Sequence, residues 1–95
     1  MNTPTPNSES RTQLTAKLAQ AAQQVTVGAR YRHYKNQTYT VIGLALREAN
    51  SEPCVIYRAD YDQNLTWIRP VANWIEPVTV DGATVPRFVI EPTDS

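Results

Sequence analysis

The chain is short of most residues on which common site chemistries are built. It has one cysteine, Cys54, so an internal disulfide cannot form and paired thiolates cannot hold a metal. It has one histidine, His33, with no Gly-x-Ser-x-Gly, paired-carboxylate or metal-ligand spacing around it. Its three glycines, Gly28, Gly43 and Gly82, lie too far apart for a phosphate-cradling loop. No hydrophobic run reaches the length of a membrane span and the N-terminus has no apolar signal core, which points to a cytoplasmic protein without membrane partners. Net charge is missing too, since nine Lys and Arg balance nine Asp and Glu. Arg11 and Lys17 outweigh Glu9 in residues 1–26, whereas residues 27–95 carry seven cations and eight carboxylates. Bulk coating of nucleic acid needs a clearly basic domain and is therefore disfavoured. A local arginine patch is not, because net charge does not report how charge is distributed.

What is present fits one small domain. Ninety-five residues bury a limited core, so a deep cavity enclosed by a single copy is not expected, and no cofactor is implied. At 41% hydrophobic and 19% charged, the composition is that of an ordinary soluble globular domain. Residues 1–9 are polar and proline-punctuated and read as a disordered tail. Ser10 and Gln13 have the spacing of a capping box and open a helical segment over residues 10–26. Its apolar stripe, Leu14, Leu18, Ala21, Ala22 and Val25, is narrow, so the helix needs a partner surface: either its own β domain or another chain.

Residues 27–90 read as short strands. The expected strands run over residues 29–34, 39–47, 54–61 and 65–69. Gly43 offers a bend in the long second strand, and Pro70 ends the fourth by removing a backbone donor. Val71 to Trp74 suits a short helical turn. Asp81-Gly82 between alternating β-branched residues is a strong hairpin signal. A final short segment at residues 87–90 and a polar tail at 91–95 close the chain. The expected fold is mainly β: a small SH3-like barrel or rolled antiparallel sheet of five to six strands, preceded by one N-terminal α-helix, with an OB-like barrel as competitor.

In the β region six of seven cations are arginine, and they interleave with the aromatics. Arginine stacks on rings and binds planar acceptors through a rigid fork. Gly28-x-x-Tyr31-Arg32-His33-Tyr34-Lys35, Tyr39-x-Val41, Val55-Ile56-Tyr57, Tyr61, Trp67-Ile68-Arg69-Pro70 and Glu76-x-Val78 together resemble a bacterial family known as domain of unknown function 1653. The resemblance spans Val27 to Phe88 and implies a small, mostly β, cytoplasmic domain. It carries over no reaction, ligand or catalytic residue. The chain departs from that pattern at Asn36 in place of Gly, at Arg47-Glu48-Ala49-Asn50 in place of a His-containing loop, and at Asn73-Trp74 in place of Met-Phe.

Strand alternation sorts the candidates by face. Tyr31 and His33 share one face of the first strand, Tyr57 and Tyr61 one face of the third, and Trp67 and Arg69 one face of the fourth. If Tyr31, His33, Tyr57, Tyr61, Trp67 and Arg69 converge, they make an aromatic floor with an imidazole and a guanidinium. Such a face stacks bases of RNA or single-stranded DNA, or grips a protein segment. The competing reading makes these aromatics the core, with Arg69 paired to Glu76. Arg30, Arg32, Lys35 and Arg58 form a second basic face, balanced in the plainer reading by Glu48, Glu52, Asp60 and Asp62. A general-base role for His33 would require Asp60, Asp62 or Glu76 as orienter, and Cys54 reads as a buried, inert thiol. Two functions stand open: a recognition module using the aromatic–arginine face, or a protein–protein or self-association module using the helix or an open strand edge. An enzyme comes third.

Overall fold

The computed structural model describes residues 10–92, so the tail expected at 1–9 lies outside the described residues, as do the last three positions of the C-terminal one. Helix α1 (Arg11–Gln24) starts on a complete capping box: the Gln13 amide donates to Ser10 Oγ at 3.1 Å, and the Ser10 amide donates to Gln13 Oε1 at 2.9 Å. Two otherwise orphaned donors are thus satisfied without help from the rest of the fold. Only Ala21 within the helix is buried, with Val25 just beyond it; Leu14 and Leu18 are half-buried and Ala22 is exposed. The apolar stripe is therefore narrower than expected, and the helix meets the sheet chiefly at its C-terminal end. Lys17 Nζ donates to the Ser51 carbonyl at 3.2 Å, which ties the helix to the loop leading into the third strand.

Seven strands follow: β1 (Arg30–His33), β2 (Thr38–Leu46), β3 (Pro53–Ala59), β4 (Thr66–Pro70), β5 (Val78–Val80), β6 (Ala83–Val85) and β7 (Phe88–Ile90), with the one-turn helix α2 (Val71–Trp74) between β4 and β5. The first four make an antiparallel meander. β7 then returns to pair with β1, giving the order β4-β3-β2-β1-β7, while β5 and β6 form a separate hairpin. The architecture is mainly β, in the rolled-sheet form of the expectation. The closed barrel is not formed, because β4 and β7 pair on one side only among the described residues.

Local chemistry explains most of these boundaries. Asn36 takes φ 82° in the β1–β2 turn, a left-handed conformation that asparagine tolerates. Asp81 (φ 51°) and Gly82 (φ 81°) are both left-handed, as the tight turn matching strand twist requires. The bend in β2 is a register slip between Val41 and Gly43, which leaves Ile42 unpaired. Beyond that bulge the inward parity of β2 switches, so apolar residues of both parities in this strand are accounted for.

One side of the sheet carries the core: Ala21, Val25, Tyr31, Val41, Val55, Tyr57, Val71, Trp74 and Phe88. Pro70 halts β4 and caps α2, whose Val71 and Trp74, three apart, point to the same side and are both buried. Trp74 lies flat on Phe88, 3.7 Å between ring centroids and 4° between planes, and receives the edges of Tyr31 and Tyr57 at 5.3 and 5.0 Å. Tyr31 is satisfied at depth by the Thr26 amide, which donates to its hydroxyl at 2.9 Å. Replacing Trp74 by alanine removes the piece that joins α2, β1, β3 and β7. Trp74→Ala is expected to cost about 3–5 kcal/mol of unfolding free energy in urea denaturation, against about 1 kcal/mol or less for Trp67→Ala on the edge strand.

Candidate functional site

Register decides which candidates share a face. Tyr31 lies opposite Tyr39 and Ile90, and His33 opposite Phe88. Val41 lies opposite Tyr57, which lies opposite Trp67, and Val55 lies opposite Arg69. Tyr31, His33, Tyr57, Trp67 and Arg69 therefore all sit on the core side of the sheet, as parity within each strand suggested. Tyr61, just past the end of β3, joins them through Tyr39, whose ring stands edge-on to it at 5.9 Å.

The set then divides by depth. Tyr31 and Tyr57 are core residues, 6% and 5% exposed, so the reading of every ring as a contact surface is corrected for these two. Both sit beneath Trp74 and Phe88, which shield them from solvent. Tyr61 and Trp67 remain 54% and 47% exposed, although both carry large apolar rings. Between the two layers lies a half-buried rim. Tyr39 is its hub, with Tyr57 at 5.3 Å, Phe88 at 6.2 Å and His33 at 6.5 Å, all nearly perpendicular to it. Trp67 lies on the same face but makes no ring contact among the described residues.

Arg69, on this face, is held by neutral partners. Arg69 Nε donates to the Tyr57 hydroxyl at 3.2 Å, and its Nη1 to Asn73 Oδ1 at 2.5 Å, with Cζ over the Phe88 ring 5.3 Å from the centroid. The expected Arg69–Glu76 pair is not formed. Glu76 instead accepts from Arg87 Nη2 at 3.1 Å. Asn73 reaches Arg69 from α2, four residues on, which explains why an amide rather than a carboxylate anchors the guanidinium. Lys35 Nζ sits over the Tyr34 ring at 5.8 Å.

His33 packs edge-on against Phe88 at 4.9 Å and tilts against Tyr34 at 4.4 Å. The Lys35 amide donates to its Nδ1 at 3.2 Å, so the neutral ring carries its proton on Nε2. Burial, then the charges of Arg69, Lys35 and Arg87, hold its pKa below 6.5. None of the expected orienters, Asp60, Asp62 or Glu76, hydrogen-bonds to it: Asp60 accepts from Thr40 Oγ1 at 2.7 Å, and Asp62 caps its own turn through the Asn64 amide. Cys54 pairs with Ala45 and Pro70 on the opposite parity of β3, so imidazole and thiol lie on different sides of the sheet. Burial pushes the Cys54 thiol up, away from thiolate. No group of three or more His, Cys, Asp or Glu among the described residues is placed to hold a metal, and no helix among them is long and apolar enough to cross a membrane.

On the other basic face two of the arginines are matched by carboxylates, Arg32 by one that was not expected. Arg30 pairs with Asp60 at 3.3 Å and Arg32 with Glu91 at 2.6 Å, while Glu52 accepts from Asn50. Lys35 belongs to the turn beside His33 and not to this face.

Several site residues escaped the sequence reading. Tyr39 carried a usable signal, since a tight β1–β2 turn places it opposite Tyr31. Phe88 and Arg87 carried none, because they reach the site through the pairing of β7 with β1, more than fifty residues away in the chain.

Fold and face together define a small rolled antiparallel β domain with an aromatic surface edged by arginine. The chain belongs to the family described as protein of unknown function DUF1653, whose model matches residues 29–90. It is similar to a crystallised DUF1653 protein from Bordetella bronchiseptica, with 31% identity and a TM-score of 0.63 over 77% of this chain and 97% of that one. Nothing among the curated proteins matches it. Helix α1 precedes the matched residues.

The titrations of this face are open to measurement. The Tyr39 hydroxyl is pushed up to about 12, first by burial and then by its hydrogen bond with Tyr61. Ultraviolet titration should show a tyrosine ionising near 12, and Tyr61→Phe should lower that value. His33 followed by NMR should titrate below 6.5 and move upward in Lys35→Gln. Because its folded pKa is depressed, the unfolded chain takes up the proton first. Stability should therefore fall as pH drops from 6.5 through the folded value.

Proposed function

We propose that this domain is a recognition module for single-stranded nucleic acid, RNA or DNA, engaged through the face formed by Tyr61, Trp67, Tyr39, His33 and Arg69. The observation that carries this reading is the exposure of two large rings, Tyr61 at 54% and Trp67 at 47%, on the side of the sheet that also presents Arg69. Leaving such rings in water forfeits burial that a small domain has reason to seek. Bases stack on rings of this kind at about 1–3 kcal/mol each and with little regard to sequence. Tyr31 and Tyr57 support the face from below as core residues and do not touch the strand.

Catalysis is the weaker reading. His33 has a backbone amide on one nitrogen, no carboxylate orienter and no thiol on its side of the sheet. Self-association through the open β4 edge, where Trp67 sits, is the second reading, favoured by the unpaired outer side of that strand.

Trp67 and Trp74 separate these outcomes, since Trp74 is buried and its emission serves as an internal reference. Adding a pyrimidine decamer should quench Trp67 and leave Trp74 unchanged, and Trp67→Ala should weaken binding about tenfold, within the range for one stacked base. A chain of zero net charge makes few phosphate contacts, so log K should fall with log salt at a slope of about −2. Emission that ignores the decamer but shifts with protein concentration would move the assignment to self-association.

A further inference from the structure

The cationic end of this face has features that base stacking does not use. Arg87 Nε is buried and makes no hydrogen bond among the described residues, although Nη2 of the same side chain is engaged by Glu76. A buried, charged donor without a partner is costly, so its retention asks for an acceptor. The His33 Nε2 proton has no partner among the described residues either, because Nδ1 takes the Lys35 amide. Arg69 spends Nε and Nη1 on Tyr57 and Asn73, which leaves Nη2 available. These three donors belong to one neighbourhood. His33 and Arg69 both pack on Phe88, Arg87 precedes it in the chain, and the Arg87 carbonyl accepts from the Tyr34 amide at 2.9 Å. Three cations, Lys35, Arg69 and Arg87, face one carboxylate, Glu76, so two positive charges are left over.

We propose that His33, Arg69 and Arg87 form a pocket for a phosphate monoester, the terminal phosphate of the single strand bound on the adjoining rings. Counting Lys35 of the adjoining turn, two positive charges stand in excess around this pocket, matching a phosphate monoester, which carries close to two negative charges near neutral pH. An internal phosphodiester carries one and must leave the pocket on both sides. Guanidinium forks pair with phosphate oxygens in a bidentate manner, and the neutral imidazole adds a third donor without needing to be protonated. This inference rests on the nucleic-acid reading for its source of phosphate, not for the pocket itself.

The test compares three pyrimidine decamers by fluorescence anisotropy: one with a 5′-phosphate, one with a 3′-phosphate and one with neither. At least one phosphorylated decamer should bind about tenfold more tightly than the unmodified one, the increment expected of one or two charge-assisted hydrogen bonds. Arg87→Gln should abolish that difference, whereas Trp67→Ala should weaken all three decamers alike. Should Arg87→Gln fail to fold, Glu76→Gln, half outside the pocket, should widen the difference instead. Equal affinity for all three decamers would overturn the pocket and leave the strand reading standing. If no decamer binds, the strand reading fails, and inorganic phosphate followed at the His33 ring by NMR decides the pocket alone. A saturable upward shift of the His33 pKa then supports free phosphate as the ligand, and an unmoved His33 overturns the site.

Discussion

The flat contact between Trp74 and Phe88 holds together parts of the chain that share nothing else. At 3.7 Å and 4°, it joins a single helical turn to the last strand of the sheet. β7 has three residues and pairs with one neighbour, too few backbone bonds to hold a returning strand firmly. The apolar area that the two rings bury against each other, together with the edge contact of Tyr57 on Phe88, supplies the missing attachment. With β7 in place, Phe88 stands opposite His33, and Arg87 and Arg69 are brought to the same end of the face. The packing of the core and the placement of the surface cations are thus one structural event.

The same contact explains why the aromatics divide. Small domains have little interior, and here four rings, Tyr31, Tyr57, Trp74 and Phe88, fill it. Once they have done so, Tyr39 can lie only partly covered, and Tyr61 and Trp67 have no interior left to enter. Their positions reinforce this. Tyr61 lies beyond the end of β3, and Trp67 is on an edge strand with a neighbour on one side only. Tyr61 is therefore continuous with the buried rings through Tyr39, whereas Trp67 adjoins them only as the cross-strand neighbour of Tyr57.

The parts of this fold legible in the sequence are those set by local chemistry. Ser10 with Gln13 announced the helix start, Pro70 the end of β4, Asp81-Gly82 the hairpin, and parity the pairing of Tyr31 with His33 and of Trp67 with Arg69 on one face of their strands, while the convergence of those faces came from the register. Burial was not legible in the same way, because alternation places a side chain on a face without saying how much of that face is covered. The coverage comes from α2 and β7, whose positions depend on contacts distant in the chain. That is why Tyr31 and Tyr57 proved to be core while Tyr61 and Trp67 did not, and why Arg87 and Phe88 gave no sign of belonging to the site. The partner of Arg69 was missed for a related reason: Asn73 and Glu76 follow it by four and seven residues, and the turn of α2 brings the nearer one back to the guanidinium.

That choice of partner bears on how a chain of zero net charge presents a charged site. On the outer face Arg30 and Arg32 are matched by Asp60 and Glu91, so their fields cancel at short range. On the inner face Arg69 is fixed by a phenol and an amide, which orient the guanidinium but leave its charge uncancelled. The pKa of His33 is lowered first by burial and then by Arg69, Lys35 and Arg87, each of which disfavours a further positive charge there. Arg87, beside His33, is paired with Glu76, so the neutral anchoring that separates local potential from overall charge is particular to Arg69. The outcome is a guanidinium held without a carboxylate partner in a domain whose formal net charge is zero.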